Sequence, residues 1–204
     1  MSVDFKDSET LKNLMRAFAG ESQARNRYTF AAGLCRQQEL QVLEAVFRFT
    51  ADQEKEHAEI FYNHMKEAAG QTVRIDGGYP VDLTNDVAEL LRRAQHNEYE
   101  EHTPVYPAFA DKAQEEGFSQ IAASFRQIAE IEQTHGNRFG HLASLMESGK
   151  LFVSDMKCGW MCLNCGHILE AAEAPKRCPV CQHSQGFFIR LELAPWGGAR
   201  VQER

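Results

Sequence analysis

Two stretches of this chain repeat one pattern of acid and imidazole. Phe47-Arg48 through Phe61 and Phe125-Arg126 through Phe139 both read Phe-Arg-x-x-Ala-x-x-Glu-x-x-His-x-x-x-Phe, which sets Glu54 and His57 in register with Glu132 and His135. Residues three apart share a helix face, so each pair aims a carboxylate and an imidazole at one point. Leu40, Leu43, Phe47, Ala51, Phe61 and Met65 form a helical apolar stripe that contains Glu54 and His57. Ile121, Phe125, Ile128, Phe139, Leu142 and Met146 surround Glu132 and His135 in the same way. A carboxylate on the core side of a helix is costly unless it is paired or bound to a metal. Two such exceptions in one register point to one shared metal site.

Two more segments carry acids on an apolar stripe. Glu21 interrupts the face of Leu14, Phe18, Ala24, Tyr28, Ala31 and Cys35, and Glu98 and Glu101 fall among Val87, Leu91, Ala94, Val105 and Phe109. Each has an ordinary reading alone. A single Glu-x-x-His arises by chance, Glu21 suits a pair with Arg25, and Glu98 with Glu101 suits a charged face beside Glu100. Together they match the dinuclear plan of a ferritin-like four-helix bundle: a lone Glu from two helices and Glu-x-x-His from the other two, here with one extra carboxylate. Two neighbouring divalent cations need bridging carboxylates to screen their repulsion, plus terminal ligands for each. Mixed imidazole and carboxylate favour iron or manganese, with zinc left open on affinity. Tyr28 and Tyr106 lie one to two turns beyond the acids, either as packing residues or as hydrogen-bond donors to the ligating carboxylates.

The elements that must position these groups follow from periodicity and punctuation. A first helix runs from a cap at Asp7 or Ser8 to about Gln37, and a second follows almost at once and ends by Gly70. Gln71 to Leu83, with Gly77, Gly78 and Pro80, has no helical pattern and suits the crossover of a bundle whose second and third helices run parallel. Thr84, Asp86 and Glu89 open the third helix, which Pro104 and Pro107 must kink before it stops at Gly117. The fourth runs from Phe118 to Gly149, so two similar helical hairpins make the bundle over residues 1–150.

The texture then changes to turns and short apolar runs. Cys162-Leu-Asn-Cys165 and Cys178-Pro-Val-Cys181 are two knuckles separated by twelve residues, a spacing that places four thiolates on one ion within a small unit at 157–195. Structural zinc and a single redox iron both suit four thiolates. Cys35 reads as a buried small residue, and Cys158 as a spare thiol or an alternative ligand. The tail from Pro195 to Arg204 carries no element. A net charge of −7 argues against nucleic acid and anionic membranes as partners. No run is long enough to span a membrane, and Met1 to Lys12 lacks a signal-peptide core, which leads to a cytoplasmic protein with reduced cysteines.

With both metal patterns in view, the chain resembles the rubrerythrin family across nearly its full length. Ala17-Phe-Ala-Gly-Glu21-Ser-Gln-Ala-Arg-Asn-Arg-Tyr28, Ala51-Asp-Gln-Glu54-Lys-Glu-His57, Glu98-Tyr-Glu-Glu101, Val-Tyr106-Pro107, Glu132-Gln-Thr-His135 and the cysteine knuckles carry the likeness. Trp160-Met-Cys162 and the knuckles are similar to rubredoxin. Pro104 departs from the family, standing where a helix-compatible residue is usual.

The resemblance implies a diiron-carboxylate site held by Glu21, Glu54, His57, Glu98, Glu101, Glu132 and His135, and one iron on Cys162, Cys165, Cys178 and Cys181. It implies reduction of hydrogen peroxide to water, with electrons relayed through the cysteine iron from a donor such as rubredoxin or an NAD(P)H-dependent reductase. It further implies that Glu101 and His57 alternate as ligands with redox state, and that the chain forms a homodimer in which electrons can cross between subunits. A helix of about 30 residues spans roughly 45 Å, so a mid-bundle site lies far from its own C-terminal module. Two other functions compete. A ferritin-like ferroxidase or iron-handling protein would use the same carboxylates but needs no built-in relay, and a zinc-ribbon interaction protein would not need an open carboxylate site.

Overall fold

A computed structural model of the chain describes residues 3–195, so all but the first residue of the tail beginning at Pro195 lies outside the described region. Ser8 caps α1 (Glu9–Gln37), its hydroxyl accepting the Leu11 N–H at 3.0 Å. A tight turn through Glu39 leads to α2 (Gln41–His64). After a short helical turn at Lys66–Ala68 the chain crosses without regular structure to Asp86, whose carboxylate accepts the Ala88 and Glu89 N–H groups and starts α3 (Val87–Glu100).

The kink expected from the two prolines falls immediately after Glu101. Residues Glu101–Val105 form one π-helical turn in which Thr103 leaves helical torsions altogether (φ −154°, ψ 111°). Pro104 offers no N–H to the ladder, which is why the helix breaks there. Pro107 does no such damage, because it lies in the first turn of α4 (Tyr106–Glu116), where N–H groups have no helical partner. Gly117, at φ +93°, ends α4, and α5 (Ser119–Glu147) completes the bundle.

The bundle is ferritin-like, with α3 and α4 acting as one interrupted helix. Its repeated motif explains its core. Phe47 meets Phe139 with ring centroids 5.2 Å apart, and Phe61 meets Phe125 at 4.9 Å. The first aromatic of each copy thus packs against the last of the other, as two antiparallel copies must. Tyr28 joins the first pair and Tyr106 the second. These aromatic groups plug the bundle above and below one layer, and that layer holds the acids and histidines.

Beyond α5, β1 (Val153–Cys162), β2 (Ile168–Glu173) and β3 (Phe188–Arg190) form an antiparallel sheet in the order β2-β1-β3. Trp160 is its buried centre and donates its indole N–H to the Ala171 carbonyl at 3.0 Å. This small sheet is seated on the α1–α2 turn. A Cβ at Gly186 would come within 1.8 Å of the Glu39 carbonyl oxygen, so only glycine permits the approach. Arg190 adds hydrogen bonds to the Lys150 and Val153 carbonyls at 2.9 and 2.6 Å. Among the described residues no helix is long and apolar enough to cross a membrane.

Candidate metal centres

α1, α2, α3 and α5 each deliver one acid to the same layer. Glu21, Glu54, His57 and Glu132 present one ligand atom each within 4.8 Å of one another, and Glu54, Glu98, Glu132 and His135 form a second such group. Glu54 and Glu132 belong to both. The pseudo-symmetry of the repeat extends to the imidazoles, which stack with centroids 5.6 Å apart and planes 17° from parallel.

The contacts inside this layer converge without pairing. His57 Nδ1 lies 2.9 Å from Glu132 Oε1 and 3.1 Å from Glu54 Oε2, while His135 Nδ1 lies 2.8 Å from Glu132 Oε2 and 3.1 Å from Glu54 Oε1. None of these contacts has the alignment of a hydrogen bond, so both Nδ1 atoms, both oxygens of Glu54 and of Glu132, and one oxygen each of Glu21 and Glu98 are buried without a partner. Orphaned buried polar atoms are rare and expensive. Eight of them converging from four helices are what cations between them would satisfy, so the donor set fits a dinuclear carboxylate centre with Glu54 and Glu132 shared.

Electrostatics agree. Burial, then the charges of Glu132, Glu101 and Glu54, push the Glu21 carboxyl well above the usual range, and burial with Glu54 does the same to Glu98. Burial opposes charging of the histidines, but contact with Glu132 and Glu54 outweighs it and raises His57 to about 9 and His135 to about 12. Glu132 is the converse: burial would raise it, and the two imidazoles hold it down to about 2. Without metal the layer must therefore keep protons to balance its charge.

The hydroxyl of Tyr106 donates to Glu21 Oε1 at 2.5 Å, and that of Tyr28 donates to Glu98 Oε1. Each thus fixes one carboxylate that belongs to a single group. Glu101 stands apart. Its carboxylate is in neither group and is half-buried at the rim, beside Gly20. Burial and then Glu98, Glu132 and Glu54 still push it well upward, so it remains within the field of the layer.

Spacing along the chain does not single out three supporting residues, Gln53, Arg138 and Gly136. Gln53 Oε1 lies 3.1 Å from His135 Nε2 and accepts its proton, which leaves Nδ1 for the layer, and Arg138 reaches Gln53 and Thr50. Gly136 lets Tyr99 of α3 lie against α5, since a Cβ there would meet the ring at 2.6 Å. A polar residue directly before a ligand, as Gln53 is, was the available clue.

The cysteines form the second centre. Cys162 and Cys181 sulfurs are 3.7 Å apart, as are those of Cys165 and Cys178, and all four sulfurs lie within 4.8 Å of one another. The knuckles close through Gly166 N–H to the Cys162 carbonyl at 2.8 Å and Gln182 N–H to the Cys178 carbonyl at 2.9 Å. The His183 backbone N–H holds the Cys181 thiol down to about 6, whereas burial pushes Cys162 to about 12. Cys158 lies on β1 outside the four-sulfur group, and Cys35 is buried in the bundle with its thiol pushed to about 12 by burial.

A ferritin-like bundle with shared buried carboxylates, followed by a four-thiolate sheet module, defines a non-haem iron protein of the oxidoreductase class. The rubrerythrin family model matches residues 12–143, and the model of the rubrerythrin rubredoxin-like domain matches residues 160–189. The chain is 46% identical to rubrerythrin of Clostridium perfringens over 90% of its length and 94% of that protein's. It is 44% identical to rubrerythrin of Porphyromonas gingivalis over 92% of both. A solved structure of fully reduced, all-ferrous nigerythrin superposes with a TM-score of 0.60 at 27% identity, covering 91% of each chain. The chain belongs to the rubrerythrin family. The family implies iron in both centres, two ions among the carboxylates and one on the cysteines.

Proposed function

We propose that this chain reduces hydrogen peroxide to water: one peroxide, two electrons and two protons give two waters, with the O–O bond broken. The observation that supports it best is the pairing, in one chain, of two ligand groups sharing Glu54 and Glu132 with a four-thiolate group. When bound, two adjacent irons supply a two-electron reductant and the cysteine iron a one-electron carrier.

The protein's part is positioning. Glu54 and Glu132, common to both groups, would hold both ions, with Glu21 and His57 completing one and Glu98 and His135 the other. Tyr106 and Tyr28 hold Glu21 and Glu98 in place through their hydroxyls. Glu101, at the rim, and His57, within the layer, would serve as alternative donors to one ion, the carboxylate suiting the harder oxidised iron. Aromatic plugs close the layer off along the bundle axis. We assign residues 1–150 to the diiron unit and 157–195 to the cysteine unit. The protein works in the cytoplasm as a homodimer, fed by rubredoxin or an NAD(P)H-dependent reductase.

Glu101→Ala and His57→Ala should cut steady-state peroxide turnover by roughly 10²-fold or more while leaving the visible spectrum of the cysteine iron intact. Cys162→Ser should spare a single turnover of pre-reduced protein and block resupply. Full turnover by Cys162→Ser with a rubredoxin donor would refute the relay, and oxidation by dioxygen as fast as by peroxide would favour a ferroxidase.

A further inference from the structure

The crossover between α2 and α3 is strapped over one side of the carboxylate layer. Arg16 holds Asp76 at 2.7 Å and Arg27 holds Asp82 at 2.7 Å. Gln23 donates to the Pro80 carbonyl at 3.0 Å, and Asn97 donates to Asp82 at 2.8 Å. Beneath the strap lies a cavity of about 380 Å³, lined by Glu101, Val105 and Tyr106 on one side and by Tyr79 on the other. Tyr106 is buried and hydrogen-bonded to Glu21, whereas Tyr79 is 38% exposed, so the cavity leads from the layer toward solvent.

Two glycines seat the Tyr79 ring. A Cβ at Gly77 would sit 3.0–3.2 Å from its hydroxyl and ring carbons. A Cβ at Gly20 would sit 3.7 Å from both the ring edge and Glu101 Oε1. The phenol donates to the Arg16 carbonyl at 3.0 Å, which fixes the ring across the gap between crossover and α1. At about 380 Å³ the cavity far exceeds the space of one water in the liquid, about 30 Å³, so its volume does not sort small hydroperoxides. Sorting falls to the Tyr79 ring, which packs close to Gly20 and forms part of the cavity wall beside Glu101.

Building on the peroxide-reductase reading, we infer that Tyr79 is the specificity-determining residue of a substrate port, its ring admitting hydrogen peroxide to Glu101 and turning away alkyl hydroperoxides. The test uses full-length, iron-loaded protein and the variants Tyr79→Ala, Tyr79→Phe and Gly20→Leu. One arm compares oxidation of reduced protein by hydrogen peroxide and by tert-butyl hydroperoxide. The other follows azide binding to oxidised protein by absorbance, which needs no turnover.

Wild type and Tyr79→Phe, which keep the ring, should favour hydrogen peroxide by about 100-fold, and Tyr79→Ala should bring the ratio within about tenfold. Gly20→Leu, which puts a side chain between the Tyr79 ring edge and Glu101, should slow azide binding by about tenfold at unchanged iron content. A ratio in Tyr79→Ala within about twofold of wild type overturns the port while leaving peroxide reduction standing. If hydrogen peroxide oxidises none of the proteins, the reductase reading falls, and azide then decides the port alone. Azide rates unaltered in both Tyr79→Ala and Gly20→Leu would overturn it.

Discussion

Removing one hydroxyl from Tyr106 should loosen one metal ion and not the other. Tyr106 and Glu21 are buried, at 1% and 0% exposure, so bulk water does not replace the lost donor. Phenylalanine keeps the ring contacts with Phe61 and Phe125, centroids 5.5 and 5.8 Å away, so no cavity opens. What remains is one hydrogen bond to a buried carboxylate, about 1.5–3 kcal/mol. At 1.4 kcal/mol per factor of ten this is roughly 10–100-fold in affinity, the range found when the partner of a metal ligand is removed. Glu21 belongs only to the group with His57, whereas Tyr28 holds Glu98 in the group with His135. Tyr106→Phe and Tyr28→Phe should therefore each weaken a different ion. Anaerobic competition between protein and a chelator for ferrous iron resolves this as one weakened equivalent and one near wild type. Equal weakening of both ions by either variant, or a change below about threefold, would refute the assignment of one tyrosine to each ion.

Two more expectations concern other parts of the chain. Gly186→Ala places a methyl against the Glu39 carbonyl, which no rotamer change relieves, and overpacking of this kind costs about 1–3 kcal/mol. The cysteine module should undock with both iron spectra intact, and trypsin should cut at Lys150 or Lys157 about tenfold faster or more; unchanged cleavage would mean that Gly186 does not dock it. Loading the metal-free bundle should release protons. His57 and His135 are raised to about 9 and about 12, so both hold a proton at pH 7 that a bound cation must displace. Their contribution to the metal-free fold is full below about 6.5, the unfolded value, and for His57 it is lost as pH rises through about 9. Metal affinity should accordingly rise with pH up to that point. Calorimetry in buffers of different ionisation enthalpy counts the protons, and a buffer-independent heat at pH 7 would contradict this ionisation.

The helices, the shared layer and the two knuckles were legible because each rests on local spacing. The repeated motif even determines which phenylalanines meet, since antiparallel copies must pair first with last. Other features depend on contacts between distant residues. Pro104 announces a break, but that it leaves Glu101 at the rim follows from Thr103 and the π turn. Tyr79 and Asp76 gain meaning only when the crossover meets α1 some sixty residues earlier in the chain. Gly186 reads as an ordinary loop glycine until Glu39 lies against it. Gln53 is one polar residue among many on α2 until His135 arrives from α5.

The most direct measurement is anaerobic reduction of iron-loaded protein, followed by one equivalent of hydrogen peroxide per dimetal site, watched by visible absorbance. A chain that reduces peroxide through a cysteine-bound iron should regain its red ferric-thiolate colour rapidly, far faster than in air. A protein that stays colourless and ignores peroxide would contradict both the reaction and the relay.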